Sequence, residues 1–231
     1  GHTKHLDGEF IQDKTTQQEL PIRKWLQDNH ELLNLSFSEI HIGVYTDKFT
    51  LMPDIGIRND LALQQLSGFD AGAEDLLTDS VDGVVQICYA LPKPVIQLLN
   101  DHFSRKTVSF GEIGWINSVI KNQPASMCIH ILGSDLLIAA VEDNQIKYLN
   151  RFTTYSPDEV LYYILLVYNL LNYDTNSVAL HIHGLLEKIS PIYQQLYGYI
   201  SRIFFGEGEQ RNTDLHQPAE SAHFYTNLQY L

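Results

Sequence analysis

Residues Cys128 to Phe152 read CIHILGSDLLIAAVEDNQIKYLNRF. Three runs, Met127 to Leu132, Leu136 to Val141 and Ile146 to Phe152, are separated by GSD and EDN, both rich in turn-formers. The pattern predicts a three-stranded meander. Directly after it stands Ser156-Pro157-Asp158-Glu159. Serine caps a helix, proline suits its first position, and Glu159 closes a capping box. The helix runs to about Leu171 with apolar residues on nearly every face, which predicts that it is largely buried. Val178 to His183 then reads as a strand ending at Gly184. A helix from Ser190 to Ile200, a strand from Arg202 to Phe205 and a short strand in the tail His223 to Leu231 follow.

The order βββ-α-β-α-β is that of one ribonuclease-H-like lobe, in which right-handed crossovers place helices over the sheet. The first half reads as a less complete version. His5 to Ile11 carries an Asp-Gly hairpin pair. A helix over Leu20 to Leu35 and short strands over Ile40 to Tyr45 and Phe49 to Met52 come next. Asp54 to Gly83 reads as an irregular, solvated acidic connection, because Asp70, Glu74, Asp75, Asp79 and Asp82 do not have the spacing of a calcium loop. Val84 to Leu91 is a central strand, followed by a helix from Pro94, a strand at Val108 to Phe110 and a helix from Glu112 to Lys121. Pro124 is the expected boundary, giving a partial first lobe over 1–124 and a second over 125–231. Two such lobes in tandem make the actin-like ATPase plan, an α/β fold.

Composition narrows the function classes. The chain has 231 residues and a formal net charge of −13, with 44% hydrophobic residues. Such a surface repels a phosphate backbone, so direct nucleic-acid binding is not expected. Cys88 and Cys128 both sit in apolar runs, which points to buried reduced thiols and a cytoplasmic location. The longest apolar run, Val160 to Tyr168, is too short to cross a membrane, and no signal peptide is recognisable.

Several segments carry a family resemblance. They are KFTLMP (48–53), KYLNRFTTYSPDEVLYYILLVYNLL (147–171), LHIHG (180–184), SPIYQQLYGYI (190–200) and HFYTNLQYL (223–231). In these the chain resembles a domain-of-unknown-function family, found mainly in Bacteroidetes, with an actin-like ATPase fold. The resemblance covers most of the chain. It implies the fold and carries over no catalytic residue.

A nucleotide site in this fold needs glycine turns whose amides approach phosphate, an acidic residue for the metal, and a Gly-Gly turn after the fourth strand of the second lobe. Gly133, Ser134 and Gly184 are the residues that remain for such a site. His130 stands where the acidic residue is expected, Asp135 is displaced, and one glycine replaces two. The expectation is a degenerate site with no cofactor; ATP with magnesium is the alternative. A second candidate is zinc on His130, His181 and His183, since adjacent strands bring period-two residues to one face. Separate, hydrogen-bonded histidines are the plainer reading.

The sequence therefore predicts a non-catalytic interaction or scaffold module that binds a protein, in particular a basic one captured by the acidic stretch 70–82. If that electrostatic capture fails, exposed tyrosines such as Tyr193 and Tyr197 are the alternative contact. The rivals are a nucleotide-binding ATPase and a small metal-dependent enzyme.

Overall fold

The computed structural model describes residues 19–33, 37, 40–53, 66, 68–81, 83, 85–120, 125–184 and 186–205. The hairpin expected near residue 8, Pro124 and the strand expected after residue 222 lie outside them. The chain separates into two compact units, 1–111 and 112–231.

The first unit contains α1 (Glu19–Asp28), α2 (His30–Leu33), β1 (Ile40–Val44), β2 (Phe49–Pro53), β3 (Glu74–Val81), β4 (Val85–Pro92), α3 (Lys93–His102) and β5 (Lys106–Phe110). Strands β1 and β5 pair in parallel, and β4 lies between β2 and β3 in an antiparallel sheet. Strand β4 was read as central, and its residues Ile87 to Leu91 are all buried. The Phe110 ring packs against Phe49 at 5.0 Å and Tyr89 at 5.7 Å.

Strand β3 corrects the acidic connection expected over 54–83. Its sequence EDLLTDSV is poor in β-formers, but its side chains are committed one by one. Asp79 points inward and accepts the Phe110 N–H at 2.5 Å. Glu74 holds Lys48 at 2.6 Å and accepts the Asp70 N–H at 3.0 Å. Asp70 in turn bonds the Gly72 N–H at 2.8 Å, a local turn that starts the strand. Once paired in this way, the carboxylates no longer oppose strand formation. Asp75 stays exposed, and Asp82 lies outside the described residues.

The second unit contains α4 (Ile113–Ile120), β6 (Ser126–Leu132), β7 (Asp135–Glu142), β8 (Gln145–Thr153), α5 (Pro157–Leu170), β9 (Ala179–Gly184), α6 (Pro191–Tyr197) and β10 (Ile203–Phe205). The five strands form one sheet in the order β10-β9-β6-β7-β8, with β6, β9 and β10 parallel. The meander read from Cys128 to Phe152 is β6–β7–β8. Its turns obey their chemistry. Gly133, at φ +59°, is the first of two central residues closed by the Leu132–Asp135 pair. Asp143 and Asn144, at φ 53° and 58°, fill the second turn, as a type I′ hairpin requires.

Helix α5 starts as expected. The Ser156 Oγ accepts the Glu159 N–H at 3.2 Å, and the Glu159 carboxylate reaches back to the Tyr155 N–H at 2.6 Å. Its burial is not as expected. Val160, Ile164, Val167 and Tyr168 enter the core with Met127, Ile129, Leu136, Ile138, Leu180 and Ile182 from one face of the sheet. The opposite side of the helix stays in solvent, with Tyr162, Leu166 and Leu170 exposed by 60%, 41% and 62%. Leu161, Tyr163 and Leu165 are partly buried against the same core, so the helix expected to be largely buried keeps one apolar line in solvent.

Candidate functional site

The strand alternation that sends Ile129 and Ile182 into the core sends His130 and His183 to the other face of the same sheet. Four residues form a row across that face. His183 on β9 pairs with His130 on β6, His130 with Leu137 on β7, and Leu137 with Arg151 on β8. Helix α4 and the residue before it lie against the row. Trp115, with no exposed surface, packs on the His130 ring at 5.5 Å and on the His183 ring at 5.8 Å. Glu112, three positions earlier, receives the Arg151 guanidinium at 2.5 Å. The Glu112 carbonyl meanwhile accepts the Ile116 N–H at 2.9 Å, which fixes the start of α4.

Burial decides the electrostatics of this cluster. It pushes the Glu112 carboxyl up to about 7, with nearby Asp135 adding to the rise and Arg151 opposing both. It lowers His130 to about 3, helped by His183 and by the Arg151 charge. His130 is therefore a neutral ring at physiological pH. The cluster holds one ion pair under an indole, and its charge depends on the protonation of Glu112.

The residues named for a nucleotide lie near one another in the unit, at the carboxyl ends of β6 and β9. Gly133 opens the β6–β7 turn, and Gly184 is the register partner of Ile131. Local geometry accounts for both glycines. Gly133 supplies the positive φ of its turn. Gly184 has φ +88°, and a Cβ there would lie 2.2 Å from the Ile131 carbonyl oxygen. Ser134 offers its carbonyl to the Thr154 N–H at 2.7 Å, tying the turn to the end of β8. Magnesium prefers carboxylate and water oxygen. The carboxylates at this end of the sheet are Glu112, paired with Arg151, and Asp135, directly after Ser134, with the His130 and His183 imidazoles beside them.

The three histidines named for a metal separate into a pair and one apart. His130 and His183 are direct neighbours under Trp115. His181, two residues earlier, stacks instead on Phe204 with ring centroids 5.4 Å apart. Among the described residues no three His, Cys, Asp or Glu side chains group closely enough to hold a metal ion. Sequence reasoning missed Glu112, Trp115 and Arg151. A signal was present in Arg151, an arginine placed by period two on the same sheet face as Leu137. The partner half of that signal, 39 residues upstream, was not legible without the fold.

Comparison with known proteins follows the same lines. Among solved structures the chain is similar to a protein with actin-like ATPase fold and unknown function from Bacteroides thetaiotaomicron VPI-5482. The TM-score is 0.74 at 16% identity, over 84% of this chain and 78% of that one. It is similar also to the PilM-PilN type IV pilus biogenesis complex, with TM-score 0.58 at 10% identity over 91% and 84%. The cytoplasmic domain of EpsL, an inner membrane component of the type II secretion system of Vibrio cholerae, matches at TM-score 0.45 and 10% identity, over 89% and 80%. The first two likenesses are of fold alone, and the first is to the actin-like ATPase fold read from the strand order. No curated protein matches the chain. The family model described as "Protein of unknown function (DUF3822)" matches residues 6–203, and the chain belongs to that family.

Proposed function

We infer that the protein is a binding module that uses an actin-like fold to hold another protein, without nucleotide chemistry. One observation carries this reading: the solvent face of α5 is apolar. Tyr162, Leu166 and Leu170 follow at intervals of four and so form one line along the helix. From Val160 to Leu170 the helix has no charged residue at all. A surface helix ordinarily sets charged and polar residues against water, and a continuous apolar patch marks a contact site. Tyr155 at the head of the helix is exposed too, as is Tyr197 on the neighbouring α6.

The partner is a protein presenting an apolar face, drawn in at long range by the −13 charge if it is basic. The contact itself is apolar; of the acidic stretch 70–82, Asp79 and Glu74 are engaged inside the first unit and Asp75 stays exposed. A solved protein of the same fold occurs in the PilM-PilN type IV pilus biogenesis complex, which supports binding as a use of this architecture. Against the ATPase reading stand two glycines with local reasons, a positive φ at Gly133 and the close Ile131 backbone at Gly184, and the Glu112 carboxylate engaged by Arg151. Among the described residues no helix is long and apolar enough to cross a membrane.

The test is to replace Tyr162, Leu166 and Leu170 together by Ser and to quantify the proteins that co-purify with each form. A near-stoichiometric partner on the native protein, lost from a variant that melts at the native temperature, is the expected result. Equal recovery from both forms removes the assignment of the α5 face.

A further inference from the structure

The sheet face that carries the buried histidine row is closed at one end and open at the other. Near the carboxyl ends of β6 and β9, Trp115 covers His130 and His183. Near their amino ends the same face lines a hollow of about 490 Å³, bounded by Ser126, Ser177, Ala179, His181, Arg202 and Phe204 among others. Its mouth is open to solvent, so a small ligand would rest against one wall. Of the residues discussed above for a nucleotide, a metal or the α5 contact, His181 is the one found among the described residues of its lining.

Three flat groups are arranged in series along its wall. His181 and Phe204 are register partners on β9 and β10, with rings stacked at 25° and 5.4 Å. The Arg202 guanidinium lies 5.9 Å from the Phe204 centroid, and its Nη1 donates to the Ser177 carbonyl at 3.0 Å. A guanidinium held by a ring and a carbonyl has lost much of its freedom before any ligand arrives, which lowers the entropy cost of using its fork. Among the described residues that line the hollow, Arg202 is the one charged side chain. Burial and the Arg202 charge both hold His181 below the usual histidine range, so its ring is neutral and its face apolar. Phe204 leaves 45% of its surface in solvent, although it is large and apolar and belongs to a sheet strand.

The geometry points to a binding site for a small aromatic acid: a planar carboxylate taken by the Arg202 fork, with its flat apolar body laid against Phe204 and His181. Arginine is the residue suited to a planar two-oxygen anion, and an exposed ring beside it suits an aromatic body. Phosphate has the charge without the flat body, and a neutral amide has the body without the charge, so the two separate the contributions.

The experiment is a titration of the isotope-labelled protein with phenylacetate, phenylacetamide and inorganic phosphate, followed by amide NMR shifts. Phenylacetate is expected to give saturable shifts at Ser177, His181, Arg202 and Phe204. The amide, which loses the charge-assisted hydrogen bond, and phosphate, which loses the ring contact, should each bind at least about tenfold more weakly. Arg202→Gln, at an exposed position that keeps the fold, should reduce phenylacetate to the level of the amide. Phe204→Ala should weaken phenylacetate and the amide together. Equal binding of acid and amide, phosphate binding as well as the acid, shifts elsewhere, or no saturation would each overturn the proposal.

Discussion

The Glu112 carboxylate and the Arg151 guanidinium meet at 2.5 Å, with 3% and 5% of their side-chain surfaces left in solvent. This pair joins the start of α4 to the middle of β8 within the second unit. A buried pair is weak evidence for stability, because desolvation consumes much of the attraction, but breaking one half leaves a charge buried alone. Arg151→Met is therefore expected to destabilise by about 3–5 kcal/mol at pH 8, where the Glu112 carboxyl is ionised and would be left buried alone. Adding Glu112→Gln should recover a large part of that loss. Urea denaturation of the two variants and the native protein measures both steps.

The same carboxyl makes stability depend on pH. Its folded value, near 7, lies above its ordinary value of 4.5, so the folded state holds the proton more tightly than the unfolded chain. The contribution is fully present below pH 4.5 and is lost as pH rises through 7. Relative to Glu112→Gln, which cannot titrate there, the native protein should lose stability across pH 4.5 to 7. Parallel curves for the two proteins would mean that Glu112 keeps its ordinary value.

Ser156 closes the first turn of α5, and Ser156→Ala should cost about 0.5–2 kcal/mol. A change within error in denaturant unfolding would place the start of the helix elsewhere.

Two glycines should respond unequally to alanine. At Gly133 the only penalty is the positive φ, about 1–2 kcal/mol, since nothing lies within 4 Å of a new Cβ. At Gly184 the same penalty adds to a clash with the Ile131 backbone at 2.2 Å. Gly184→Ala should thus be clearly the more damaging in thermal melts, whether or not nucleotide is present.

The second unit was largely legible in the sequence because its signals are local. Turn residues at 133 and 143–144, a cap at Ser156 and alternating apolar strands fix β6 to β8 and α5 without help from distant partners. Strand β3 was not legible. Its acidic residues read as solvated, and they become strand residues through Lys48, 26 positions before Glu74, and Phe110, 31 positions after Asp79. The exposed line on α5 was hidden for the opposite reason. Composition marks the helix as apolar, but which apolar residues face the sheet depends on the register with β6, β7 and β9. Of the site, the pairing of His130 with His183 followed from strand order; the cover provided by Trp115 and Glu112 did not, because short stretches carry no sign of what packs on them.

The engaged acidic residues of the first unit give a further check. Asp79→Ala removes the acceptor of the Phe110 N–H and should cost about 1–3 kcal/mol. Asp75→Ala, at an exposed position on the same strand, should stay within about 0.5 kcal/mol of the native protein. Equal effects would mean that the Asp79 bond contributes nothing.

The central claim is that this actin-like fold works by protein contact and not by nucleotide chemistry. Its most direct test is the melting temperature of the purified protein against increasing Mg-ATP, since a ligand that binds only the folded state must raise it. The account predicts an unchanged melting temperature up to millimolar Mg-ATP. A saturable rise of several degrees, abolished by substitution at Gly133, would contradict it and restore Gly133, Ser134 and Gly184 as nucleotide-binding residues.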